Sequence, residues 1–151
     1  MPEGIGLQAK LLADECIDAV EIIPETWMPF DTDLMTASAE EAPDGECTFL
    51  DWDGSNDAWF FYKAPQDQTI SISLCASQYD TSMIVYQGEC DSLFRIACDD
   101  DSCEPEGPGY QSKIEQLDVE TGYVFIRIGG YKAAEGHGYV YVEEVTACDA
   151  D

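Results

Sequence analysis

From residue 57 onward, apolar and polar residues follow a strand–turn–strand rhythm. "DAWFFYKAP" is an aromatic run stopped by Pro65. "QTISISLC" alternates cleanly, with Ile70, Ile72 and Leu74 on one face and Ser71 and Ser73 on the other, the period of a half-buried strand. "TSMIVYQGEC" is an apolar run that ends at Gly88, and "QSKIEQLDVETG" is a weaker strand pattern closed by a turn at Thr121 and Gly122. "YVFIRIGGY" turns Val124, Ile126 and Ile128 inward and closes on Gly129 and Gly130; "GYVYVEEV" supplies a final strand. Strands this short, separated by Gly, Pro and Asp turns, predict an all-β, antiparallel β-sandwich. The first half is less regular. "GLQAKLLADECIDAVEII" predicts one or two helical turns through Leu7, Leu11 and Leu12, before Val20, and then a strand near Ile22. Residues 35–54, rich in Glu, Asp, Ala and Gly, predict a long solvated loop. No internal repeat or second domain is visible.

A chain of 151 residues is one domain's worth of sequence, long enough to bury a core. Its 45% hydrophobic and 11% aromatic content argues against global disorder despite the acidity. With 32 acidic residues against six basic ones, a net charge of -26 disfavours nucleic acid and anionic membranes through long-range repulsion. Salt adaptation, divalent-cation binding and plain solubility all remain compatible with such acidity. "MPEGIGLQAK" lacks a basic stretch followed by an apolar run, so an exported protein is expected to correspond to a mature form. No stretch approaches transmembrane length, and no membrane insertion is expected.

Seven cysteines is a high count, yet no C-x-x-C pair exists and the only histidine is His137, so a zinc site is poorly supported. Disulfides in an extracellular protein fit better, with one thiol left over or paired to another chain. Cys90, Cys98 and Cys103 lie close together, which makes a Cys98–Cys103 or Cys90–Cys98 bridge feasible. Cys16 and Cys148 bracket the domain, and Cys47 with Cys75 forms a third candidate pair. Spacing alone does not fix the connectivity.

The stretch "IACDDDSCE" places Asp99, Asp100 and Asp101 side by side. At about 5 Å and an effective dielectric near 20, each like-charge pair costs on the order of 3 kcal/mol, so a positive partner is expected unless the loop is fully solvated. Calcium takes about six to eight oxygens. In a turn clamped by cysteines, two of these carboxylates can converge and a backbone carbonyl can add a ligand. The competing reading is a solvated acidic turn. His137, between glycines in "EGHGY", reads as a solvated turn residue. With no second histidine, no G-x-S-x-G and no cysteine–histidine signature, the chain is not expected to be an enzyme. Paired carboxylates of the glycosidase kind arise by chance among so many acids. Among the aromatics, Trp59 belongs to a strand and is expected in the core. Trp52 in "LDWDGSND", and Tyr110 and Tyr131 beside turn glycines, are the candidates for exposed ligand contacts.

Taken in order, "ADECIDAVEI", "DAWFFYKAP", "ISISLCASQYDTSMIVYQGEC", "RIACDDDSC" and "YVFIRIGGYKAAEGHGYVYVEEV" resemble the bacterial pre-peptidase C-terminal (PPC) type of domain. The resemblance is strongest to its cysteine-rich variant in secreted and surface proteins. It spans residues 14–146, leaving 1–13 as an extension and 147–151 as a tail. "ADEC" replaces that variant's Asn-Asp opening, Ala58 stands for Val, and Asp99 for Asn. The resemblance implies a jelly-roll-like sandwich that accompanies peptidases or surface proteins rather than catalysing. Related collagenase modules bind calcium and collagen. It also implies that Asp80, and with it Asp57, approach the same end of the sandwich as the aspartate loop. The resulting expectation is a non-catalytic, calcium-binding module with a structural or adhesive role outside the cell or at its surface. One form of it is a subunit that self-assembles by strand addition into an extracellular filament or tubule. The alternative is a polysaccharide- or collagen-binding accessory module of a secreted hydrolase.

Overall fold

The computed structural model describes residues 12–38, 47, 52, 55–100, 102–103 and 110–145. Among these, nine strands form two sheets. The strands are β1 (Val20–Glu21), β2 (Met28–Asp31), β3 (Ala58–Ala64), β4 (Gln68–Ser73), β5 (Thr81–Gln87), β6 (Phe94–Asp99), β7 (Lys113–Val119), β8 (Gly122–Gly130) and β9 (His137–Val145). One sheet runs β1-β3-β8-β5-β6 and the other β2-β9-β4-β7. The β1–β3 pairing is parallel and the others antiparallel. The expected antiparallel β-sandwich is what the protein forms.

Side-chain alternation decides which face of each strand turns inward. Phe60, Tyr62, Met83, Val85, Ile126 and Ile128 of the five-stranded sheet meet Phe30, Ile70, Ile72, Val140 and Val142 of the other in one buried cluster. Burying each such side chain fully contributes about 1.5–3 kcal/mol. At the turns, backbone geometry demands particular residues. Gly88 follows β5 at φ 105°, in a region that side chains avoid. In β7, Gln116 adopts φ 55° where the β4–β7 register slips between Ile70 and Ile72, a bulge on that edge strand.

Three elements depart from expectation. The short helical piece before Val20 is, among the described residues, a three-residue 3-10 turn at Cys16–Asp18; Leu7 and Leu11 lie outside those residues. Phe94–Asp99, whose Ile96–Asp99 part falls in the stretch read as the acidic loop, is edge strand β6, whose faces are both partly exposed and so carry no clean alternation. Met28–Asp31 is a four-residue edge strand carrying Pro29, too short for periodicity to reveal.

The 35–54 segment is also not simply a solvated loop, because Cys47 and Trp52 are buried. They pack with Ile84 on the outer face of the five-stranded sheet. Beside them, Cys16 packs with Trp59 and Phe125 on that same face. Part of the outer face thus has its own covering layer.

Candidate functional site at the acidic end

Strand registers bring the candidate carboxylates to one end of the molecule. Asp57 precedes β3, Asp80 precedes β5, and Asp99 ends β6. The pairings Ala58↔Ile128, Thr81↔Gly130 and Met83↔Asp99 align these strand ends with the end of β8. Their chemical environments nevertheless differ.

Asp57 is fully buried and already has a cation. Arg127 Nε donates to its Oδ2 at 2.7 Å, and the Ser38 hydroxyl donates to the same oxygen at 2.8 Å. Arg127 Nη1 donates to the Tyr86 hydroxyl at 3.0 Å. The guanidinium lies 4.9 Å from the Trp52 ring and 5.4 Å from that of Trp59, so two indoles enclose the charge. Burial is the larger influence on the Asp57 carboxyl and pushes it up to about 6, against the opposing pull of Arg127 and Ser38. At neutral pH it is therefore ionised and matched. Read as a calcium ligand from the resemblance, Asp57 has its charge balanced by Arg127 at Oδ2.

Asp99 is committed to shaping the loop. Its carboxylate accepts from the Ser102 hydroxyl at 2.6 Å and amide at 3.3 Å, and from the Lys113 amide at 2.9 Å. These bonds close an Asx-type turn and tie the end of β6 to the start of β7. Asp100 is buried, and its carbonyl accepts from the Ser112 hydroxyl at 3.0 Å. Ser112 in turn meets the Thr81 hydroxyl at 3.0 Å. Asp80 is half-buried, its carbonyl accepting from the Tyr131 amide at 3.1 Å. Asp101 lies outside the described residues. Among the described residues, no three of His, Cys, Asp and Glu gather in a cluster able to hold a metal ion.

The cysteines pair as Cys16–Cys90, Cys47–Cys98 and Cys75–Cys103, with Cα–Cα distances of 5.8, 6.2 and 5.6 Å. None of the candidate pairs drawn from spacing forms among the described residues, and Cys148 lies outside them. The reason is layering. Cys98 pairs across β6 with Ile84 and joins the outer-face cluster, where Cys47 waits, whereas Cys103 follows the aspartate turn and meets Cys75 just after β4. Two bridges fasten the covering layer to the outer face, and the third pins the acidic loop to the end of the other sheet.

Of the ligand-contact candidates, Trp52 is only 5% exposed, and its indole N–H donates to the Ser82 hydroxyl. A Cβ at Gly129 would sit 2.8 Å from that ring, so Gly129 leaves the space Trp52 fills. Trp52 is a packing residue, against expectation. Tyr110 is exposed, and Tyr131 is half-buried with the Lys132 amine 5.4 Å from its ring centroid. Trp59 is in the interior, as its strand position implied. Sequence reasoning missed Arg127, Ser112 and Thr81. For Arg127 a signal was present: it is the one cation inside the apolar run "YVFIRIGGY".

No protein-family model matches the chain, and no curated protein matches it. Among solved structures it is similar to the pre-peptidase C-terminal domain of a collagenase from Bacillus anthracis. The TM-score is 0.52 and the identity 12%, over 83% of this chain and 94% of that one. The likeness shows the fold: this chain is a sandwich of the pre-peptidase C-terminal kind.

Proposed function

We propose that the protein is a non-catalytic module that works outside the cell, in structure or adhesion, as an accessory to other activities. The observation that carries this reading is the trio of disulfides, which persist in oxidising surroundings, on a fold shared with an accessory domain of a collagenase. The buried charges support it. Asp57 and Arg127 face each other between two tryptophans, an arrangement that stiffens a scaffold rather than activating a nucleophile.

Two finer features belong to the proposal. Calcium is the proposed answer to the charge of the loop, held by Asp80, Asp100 and Asp101; its support is that charge alone. Self-assembly by strand addition rests on one observation: two-residue β1, with Ala13 and Ile22 bonded to Trp59 and Phe61, covers β3 only as far as Phe61 and leaves the Tyr62–Ala64 end of that edge for a neighbouring strand.

Thiol titration of the denatured, unreduced protein should find about one free thiol per chain; six or seven would overturn the extracellular reading. Incubation with gelatin and with neutral polysaccharides should leave both uncleaved. Cleavage that disappears when one carboxylate is replaced would overturn the non-catalytic reading. Negative-stain microscopy with and without calcium tests assembly, and discrete monomers in both conditions would remove it.

A further inference from the structure

We propose that the outer face of the four-stranded sheet is a docking platform for a neutral, hydroxyl-rich polysaccharide, centred on Trp27 and Tyr141. This deepens the accessory-module reading and rests on it. The pairing Met28↔Val140 places Trp27 across from Tyr141, and because Val140 and Val142 turn into the core, this pair faces solvent. The two rings stack with centroids 4.6 Å apart and planes inclined by 29°. Trp27 is nevertheless 45% exposed, so one large flat ring is held in place and left uncovered.

The row continues across the sheet. Tyr141 pairs with Ser73 of β4, and Ser73 with Lys113 of β7; in the next row Glu143 pairs with Ser71. Four strands at about 4.8 Å spacing make a strip about 14 Å wide. An aromatic wall at one side leads to hydroxyls and then to charged groups at the other.

That sequence of groups fits a sugar chain. The C–H face of one pyranose is apolar and lies flat on the indole, while hydroxyls of the following units, laid across the strip, donate to Glu143, accept from Ser71 and reach Lys113 at the far side. Charge narrows the class. A chain at -26, with Glu143 on the strip and Glu115 2.9 Å from Lys113, repels uronates and sulfated glycans. A proline-rich peptide is the rival that stacks on aromatics, but it docks in aromatic-lined grooves, and this face is an open strip flanked by hydroxyls.

The test is affinity electrophoresis of the full chain in gels containing laminarin, galactomannan or dextran, with alginate as the anionic control, alongside pull-down on cellulose. Poly-L-proline is titrated separately. Retention by at least one neutral polysaccharide and none by alginate is expected. Trp27→Ala should weaken retention roughly tenfold, as loss of a stacked aromatic contact implies. Trp27→Phe should keep part of it, and Ser71→Ala should lose a few-fold. Because Trp27 is exposed, an unchanged melting temperature certifies that its variants are folded. No retention by any neutral polysaccharide, equal retention of Trp27→Ala, or binding only to poly-L-proline each overturns the platform. An oxidised, inert chain that is not retained sinks the platform and leaves the module reading standing. Release of reducing ends from the gel polysaccharide sinks the module reading instead.

Discussion

Replacing Arg127 by methionine removes the cation from the acidic end while keeping most of its volume. Three things are lost: the 2.7 Å bond to Asp57, the 3.0 Å bond to Tyr86, and the stacking between Trp52 and Trp59. Asp57 stays buried with only the Ser38 hydroxyl to solvate it. Breaking a buried pair from one side costs about 3–5 kcal/mol, because the remaining charge is uncompensated. About 4 kcal/mol is expected here at pH 7.5, a large share of the roughly 5–15 kcal/mol that holds a domain folded.

The pH dependence sharpens the test. In the native protein the Asp57 carboxyl is raised from 3.8 to about 6, so between those values the folded state holds a proton that the unfolded state has released. Stability from this group therefore grows as pH falls through 6 and is smallest above it, a difference on the order of 3 kcal/mol. Arg127 lowers that carboxyl, so Arg127→Met raises it further and the gain on acidification starts at higher pH. Asp57→Asn combined with Arg127→Met removes the charge and should recover most of the loss and flatten the difference from wild type. Urea unfolding followed by tryptophan fluorescence, at pH 7.5 and pH 5.0, reads all three proteins. Comparison between variants cancels the titration of the other carboxylates. Arg127→Met within 1 kcal/mol of wild type at pH 7.5, or with the same pH slope, would refute the reasoning.

Removing Cys16–Cys90 by paired serine substitution should destabilise by about 4–5 kcal/mol, and removing Cys75–Cys103 by about 3.5, since chain-entropy loss grows with loop length. The respective separations are 74 and 28 residues, and equilibrium denaturation showing the reverse order would contradict the loop-closure account. A chelator should lower the melting temperature and calcium restore it, by about 2.7 kcal/mol at 100 times the dissociation constant. Sodium at equal ionic strength should not, and Asp100→Asn should weaken the calcium effect; equal rescue by sodium would reduce the loop to a solvated turn. Gly130→Ala should cost about 2–4 kcal/mol, because its Cβ would lie 1.9 Å from the Ala134 carbonyl oxygen, backbone that cannot swing aside. Thermal melting reads it, and a neutral result would mean that the turn after β8 relaxes freely.

What the sequence made legible and what it hid separate along a physical line. β4 was readable because it buries one face fully, so alternation is written into every second residue, and β8 because Val124–Gly130 is buried on both faces and reads as an apolar run closed by glycines. β6 was hidden because an edge strand with partly exposed faces has little to alternate. The cysteine partners were hidden for a different reason. Proximity in sequence favours short loops, but bridging is decided by which face of a strand a cysteine occupies, and that depends on a register no local pattern contains. The fate of Asp57 shows the same limit within the site. Any of 32 acidic residues was a candidate for the buried guanidinium. Trp59 pairs directly with Arg127, and Asp57, two residues earlier on the same face, is its diagonal neighbour. A one-residue slip of β3 would have turned Asp57 toward the core and left Arg127 without its partner. The ion pair therefore fixes a register as well as a charge, which is why a carboxylate first read as a metal ligand is part of the scaffold.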